Sequence, residues 1–208
     1  MLLLVFNHAS SVQFVTNMSN HDRPAILGGN PVFHKPYHLV RPTFPRFSDI
    51  AKDFEDLYNS RMFTNQGAFV RKLEERIAHE IGVKHCAMFC NGTTAIMCLF
   101  KAWDLKGKVL VPSFTFAATT QALLWQGLPI QFIDIHQKTL TMDPERIEEA
   151  ITSDTAAIFP VNIFGTCCEH EKILEIAHKY DVPLFYDSAQ AFGTQYKGMP
   201  VGSLGDAE

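Results

Sequence analysis

The sequence predicts an α/β protein built on a mostly parallel sheet with helices on both of its faces. Two observations lead there. Short apolar runs alternate with helical stretches from residue 84 onward, and strands separated by helices require crossover connections, which favour parallel pairing. The chain is also long enough for one domain with a sizeable core: 208 residues, 47% hydrophobic and 19% charged.

Prolines at Pro24, Pro31, Pro36, Pro42 and Pro45 mark a loop-rich opening stretch. Helical spacing then begins with Phe47, Ile50, Phe54 and Leu57, and Ser48 is the candidate N-cap. A second helix is expected over 68–81, where Val70, Leu73, Ile77 and Ile81 share a face and Gly82 supplies the stop. Strand candidates follow near 84–89, 108–111, 130–133, 156–161 and 182–186, with helices near 93–103, 116–126, 144–151 and 168–180. The glycine-punctuated stretch Gly193 to Gly202 reads as a hairpin. Neither a repeat nor a linker interrupts the pattern, so residues 24–208 parse as one domain behind an extension of residues 1–23, expected to be disordered.

Several functional classes are excluded by composition. A formal net charge of −4 provides no electrostatic footprint for nucleic acid or an anionic membrane. No run approaches the roughly eighteen apolar residues of a spanning helix. The opening Met1-Leu-Leu-Leu-Val-Phe6 lacks the basic flank of a secretory signal, and Met18 is an alternative start. Cys86, Cys90, Cys98, Cys167 and Cys168 form no C-x-x-C pair, and neither they nor the nine histidines have metal-ligand spacing, so no metal is expected. A reducing cytoplasm is the expected setting.

Three segments converge on one side of the expected sheet. Val182-Pro-Leu-Phe-Tyr-Asp187 puts an acid at the carboxyl end of a buried strand, where open α/β sheets place their ligands. Read by itself, Asp187 is equally a loop acid capping a turn. Cys90-Asn-Gly92-Thr93-Thr94 lies between a strand and a helix. Glycine admits close backbone approach, and helix-terminal amides bind phosphate, although such a run is more often a turn with an N-cap. Val111-Pro-Ser-Phe-Thr-Phe116 brings an aromatic to another strand end, suited to stacking on a planar ring or to packing in the core. A phosphate cradle, a stacking aromatic and a carboxylate are together what pyridoxal phosphate requires of a protein.

The segments N-G-T-T-A-I, V-P-S-F-T-F-A-A-T, Phe132-Ile-Asp134-Ile, Val161-Asn-Ile-Phe-Gly165, D-S-A-Q-A-F-G and V-G-S-L-G-D resemble the DegT/DnrJ/EryC1/StrS nucleotide-sugar aminotransferases, a group of fold-type I pyridoxal-phosphate enzymes. Leu27-Gly-Gly29 and Phe63-Thr-Asn-Gln-Gly67 match that family's N-terminal arm, and the likeness runs from about residue 24 to 208. It implies a truncated large domain, without the last strands and the small C-terminal domain. It also implies amine transfer from glutamate or glutamine to a keto-sugar nucleotide, and a homodimer. By the same resemblance Thr93 and Thr94 hold the cofactor phosphate, with Gly92 in support. Phe116 stacks on the ring, Asp187 pairs with the pyridine nitrogen, and Gln190 contacts the ring hydroxyl. Asn162 is supporting, and Asp134 is either a site or a structural acid.

The family's Schiff-base lysine falls beyond Glu208, and Lys197 occupies a variable position with no assigned role. The 208 residues alone are therefore expected to seat the cofactor without performing transfer. A deoxysugar 3-dehydratase, in which histidine replaces that lysine, and a non-catalytic cofactor-binding or regulatory module are the alternatives. The 84–89 strand is expected to lack its sheet partners, while residues 105–190 form a coherent parallel core.

Overall fold

A computed structural model describes residues 23–36, 38 and 41–208. Apart from Arg23, the extension expected at 1–23 lies outside the described residues. The chain divides into two compact units, residues 1–61 and 62–208. The first holds a 3-10 turn at Ala25–Leu27 and helix α1, Phe47–Ser60. Arg46, rather than Ser48, is the N-cap of α1. Ser48 sits one residue inside the helix, where its hydroxyl donates to the Asp49 carboxylate at 3.1 Å.

The second unit contains α2 (Ala68–Ile81), α3 (Gly92–Trp103), β1 (Lys108–Pro112), α4 (Ala117–Leu124) and β2 (Ile130–Ile133). It continues with α5 (Pro144–Ala150), β3 (Thr155–Ile158), α6 (His170–Tyr180), β4 (Gln195–Tyr196) and β5 (Met199–Pro200). Strands β1, β2 and β3 form a parallel sheet with β1 in the centre. The sheet continues through the 184–187 segment by parallel bridges Ile158 to Leu184 and Val161 to Asp187, and onward from Phe185 to Ala207. The expected strand at 182–186 is thus present as a chain of bridges. The expected hairpin is the β4–β5 pair, turning on Lys197 and Gly198, both at positive φ.

Side-chain alternation divides the core between the two faces of the sheet. Leu110, Ile158, Leu184 and Tyr186 pack on one face with Ile147 of α5 and Ile173, Ile176 and Ala177 of α6. Val109, Val111, Ala157, Phe159 and Phe185 pack on the other with Phe100 of α3 and Leu123 of α4. Each fully buried aliphatic side chain contributes about 1.5–3 kcal/mol. Phe100 lies edge-on to both Phe159 and Phe185, at 5.0 and 5.1 Å between ring centroids, and Trp103 meets Phe185 at 4.8 Å. Three ring contacts therefore fasten α3 to the sheet.

The strand candidate at 84–89, expected to lack its sheet partners, does lack them, and without them it is not a strand. Residues 84–89 carry no strand pairing, and Met88 and Phe89 are exposed. A run of apolar residues becomes a strand only when a neighbour satisfies its backbone. Here the amide of Met88 is instead taken by the side chain of Glu74 on α2, at 2.8 Å. The parallel core at 105–190 is present, and its pairing extends to Ala207. Gly205 makes that extension sterically possible. Its φ is +68°, and a Cβ there would lie 2.5 Å from the Leu184 carbonyl oxygen.

Candidate functional site

Asp187 is held from several directions. Its amide donates to Pro160 O and its carbonyl accepts from Asn162 N, each at 3.0 Å, so the backbone is fixed by the sheet. Its carboxylate accepts the Thr119 hydroxyl at 2.7 Å on Oδ2, and Oδ1 accepts the Ala189 amide at 3.3 Å. Thr119 is fully buried on α4. Its partner in turn is Thr115, with 2.9 Å between the hydroxyl oxygens.

At the start of α3, Asn91 is the N-cap, and its side-chain oxygen accepts both the amide of Thr94 (2.9 Å) and the Thr94 hydroxyl (3.0 Å). The amides of Gly92 and Thr93 occupy the first helical turn, where the helix supplies no acceptor. Both donors of Thr94 are thus directed to Asn91, which leaves the amides of Gly92 and Thr93 as the ones in this turn without that cap.

Gly92 and Asp187 border the same cavity of about 460 Å³, a volume within the range of small-molecule sites. Its wall includes Ala95, Tyr186, Ser188 and Phe192 and is mainly apolar. Thr93, Thr94, Phe116 and Gln190 are not among the lining residues. Phe116 stands 71% exposed as the residue before α4, three positions ahead of Thr119. The side-chain oxygen of Gln190 accepts the amide of Phe164 at 3.0 Å, and Phe164 adopts a positive φ of 52°.

Asn162 is fully buried and acts as a junction. Its oxygen accepts the Cys168 amide at 2.8 Å, and its nitrogen donates to the Ser188 hydroxyl at 2.8 Å and to Glu208 at 3.2 Å. Glu208 gathers more partners. Its carboxylate accepts the Ser188 hydroxyl and the amides of Gly202 (2.6 Å) and Leu204 (2.9 Å). Burial pushes the Cys168 thiol up to about 12, which keeps it protonated. On the opposite side of the 184–187 segment from Phe185, Tyr186 meets His170 at 2.9 Å. Burial raises the tyrosine above its ordinary range and lowers the histidine, so both stay uncharged near neutrality. Asp134 is exposed and its carbonyl accepts the Asp143 amide at 3.1 Å. Lys197 pairs with Glu171.

The sequence reading missed Thr119, Thr115, Asn91 and Glu208. For Thr119 a signal exists, because it lies one helical turn after Phe116 among the apolar residues of α4. For Glu208 the sequence holds none.

A carboxylate fixed at the end of a parallel strand borders one cavity with a helix N-terminus, at the strand ends where open α/β sheets place their ligands. The chain belongs to the DegT/DnrJ/EryC1/StrS aminotransferase family, whose sequence profile matches residues 47–208. It is 36% identical over 160 residues to dTDP-4-amino-4,6-dideoxy-D-glucose transaminase of Escherichia coli, across 77% of this chain and 43% of that one. Among solved structures it resembles DesI in the presence of its TDP-sugar product, with a TM-score of 0.81 and 36% identity, covering 88% of this chain and 46% of DesI. It also resembles the E. coli GDP-4-keto-6-deoxy-D-mannose-3-dehydratase with bound hydrated PLP, at a TM-score of 0.74 and 28% identity, covering 82% and 45%. The chain thus spans less than half the length of these relatives. Among the described residues, no helix is long and apolar enough to cross a membrane.

Proposed function

We propose that residues 24–208 are the cofactor-seating part of a pyridoxal-phosphate-dependent enzyme that transfers an amine from glutamate or glutamine to a keto-sugar nucleotide. The observation that carries this is the Asp187 carboxylate, held by Thr119 at 2.7 Å and bordering one cavity with the first turn of α3. The bound cofactor would supply an electron sink through its protonated ring nitrogen.

The chain's own residues bind and orient. Asp187 accepts the ring N–H. The amides of Gly92 and Thr93 with the Thr93 hydroxyl hold the phosphate, and Thr94 keeps the turn in shape through Asn91. Phe116, one turn from Thr119, covers the ring face. Gln190 sits near the ring hydroxyl and steadies the Phe164 loop, and Asn162 supports Ser188 beside Asp187. No Schiff-base lysine is assigned within residues 1–208. A homodimer working in the cytoplasm accompanies this reading.

Likeness to the GDP-4-keto-6-deoxy-D-mannose-3-dehydratase favours a sugar 3-dehydratase as the second reading. Sequencing the coding locus past the codon for Glu208 separates the two. An open frame reaching S-F-x-x-x-K supports the aminotransferase, and histidine in place of that lysine supports the dehydratase. A stop codon leaves a module that binds cofactor without turning it over. For the cofactor itself, calorimetric titration of the purified chain with pyridoxamine 5′-phosphate is expected to saturate. Asp187→Asn should weaken binding by about tenfold or more, from loss of a charge-assisted hydrogen bond. Equal binding by the Asn variant overturns the assignment of Asp187.

A further inference from the structure

We infer that Thr119, oriented by Thr115, is a positioning residue that aims the Asp187 carboxylate at the ring nitrogen of the cofactor; the inference rests on the cofactor reading above. A hydroxyl carries one proton. The Thr119 proton is directed to Asp187 Oδ2 at 2.7 Å, so the 2.9 Å contact with Thr115 is one in which Thr115 donates and Thr119 accepts. The two hydroxyls therefore form a directed chain that ends on the carboxylate.

Burial gives this chain its force. Thr119 is 0% exposed, so water does not compete for its hydroxyl, and a hydrogen bond to a charged group in such a place is strong. The bond joins residues 68 apart in sequence, linking the first turn of α4 to the sheet end. With its backbone held at Pro160 and Asn162, the Asp187 side chain retains rotation about its Cα–Cβ and Cβ–Cγ bonds, and the bond to the Thr119 hydroxyl restrains both. Oδ2 is then committed, and Oδ1, which takes only a 3.3 Å contact from Ala189, is the oxygen that meets a ligand N–H. Phe116 precedes the same helix, so the element proposed to cover the ring also carries the group that orients the acid beneath it.

The test uses the 208-residue chain and two ligands: pyridoxamine 5′-phosphate and its 1-deaza analogue, in which C–H replaces the ring nitrogen. Thr119→Val keeps the shape and removes the donor. It should weaken pyridoxamine phosphate by about three- to tenfold and leave the deaza analogue within about twofold, while Thr119→Ser restores the parent affinity. Equal weakening of both ligands by the valine variant, or no weakening of either, overturns the inference. If Thr119→Val does not fold, Thr115→Val takes its place with a smaller effect of the same pattern, and a loss shared by both ligands again overturns it. Failure of the unsubstituted chain to bind either ligand defeats the cofactor reading and this inference together. Binding by the parent with the valine variant unchanged defeats the inference alone.

Discussion

Two junctions border the same cavity, and they are anchored by different means. At Asp187 the backbone is bridged within the parallel sheet on both sides, to Val161 through its own residue and from Phe185 to Ala207. At the Asn91 junction the preceding residues 84–89 carry no strand pairing, and α3 is held from behind by Phe100 and Trp103. The acid that would meet the ring is therefore set by backbone. The turn that would meet the phosphate is set by side chains about two to three helical turns away. A binding site can tolerate that division, because a phosphate accepts many approach directions, whereas a ring N–H needs an acceptor at one position.

Hydrogen exchange offers the largest effect with which to break this contrast. Amides of Val109 to Val111 should be protected over those of residues 85–90 by on the order of a hundredfold or more, since local opening ranges from almost free to the global stability. Comparable protection in both segments would end the contrast. Next comes Phe100→Ala, which removes the buried ring between Phe159 and Phe185. It should cost about 3–5 kcal/mol in denaturant unfolding, and a loss below about 1 kcal/mol would mean that α3 is fastened elsewhere. Asn162→Ala acts at the acid's side of the cavity. It strands the Cys168 amide and removes a donor from Ser188 and Glu208, for an expected loss of about 1–3 kcal/mol by the same assay. The smallest effect is expected from Asn91→Ala, about 1 kcal/mol for a lost N-cap. Its signature is local: faster exchange at the Thr94 amide with that of Asp187 unchanged.

How far the sequence disclosed this arrangement depends on the range of the interaction concerned. Periodicity placed α2 over 68–81 with Gly82 as its stop, because both are decided within a few turns of chain. It likewise located Asp187 at a strand end, since the apolar run before it is itself the signal. The helix near 168–180 begins at His170, a boundary shift of the ordinary kind. The stretch Lys84 to Phe89 reads as a strand by composition, yet pairing is a property of two segments and its own residues cannot supply the second. Thr119 was hidden for a related reason, because its donor role exists only once residues 119 and 187 meet. Thr94 was recognised as part of the turn, while its engagement by Asn91 required the cap geometry.

The carboxylate of Glu208 reaches back to Asn162, Ser188, Gly202 and Leu204, and this bears on the order in which the chain assembles. Synthesis runs from the amino terminus, so β1, β2 and β3 can pair while later residues are still being added. The surroundings of Ser188 cannot close until residue 208 has emerged. The side of the cavity next to Asp187, whose backbone is bonded to both Pro160 and Asn162, is thus among the last parts of these 208 residues to be set in place.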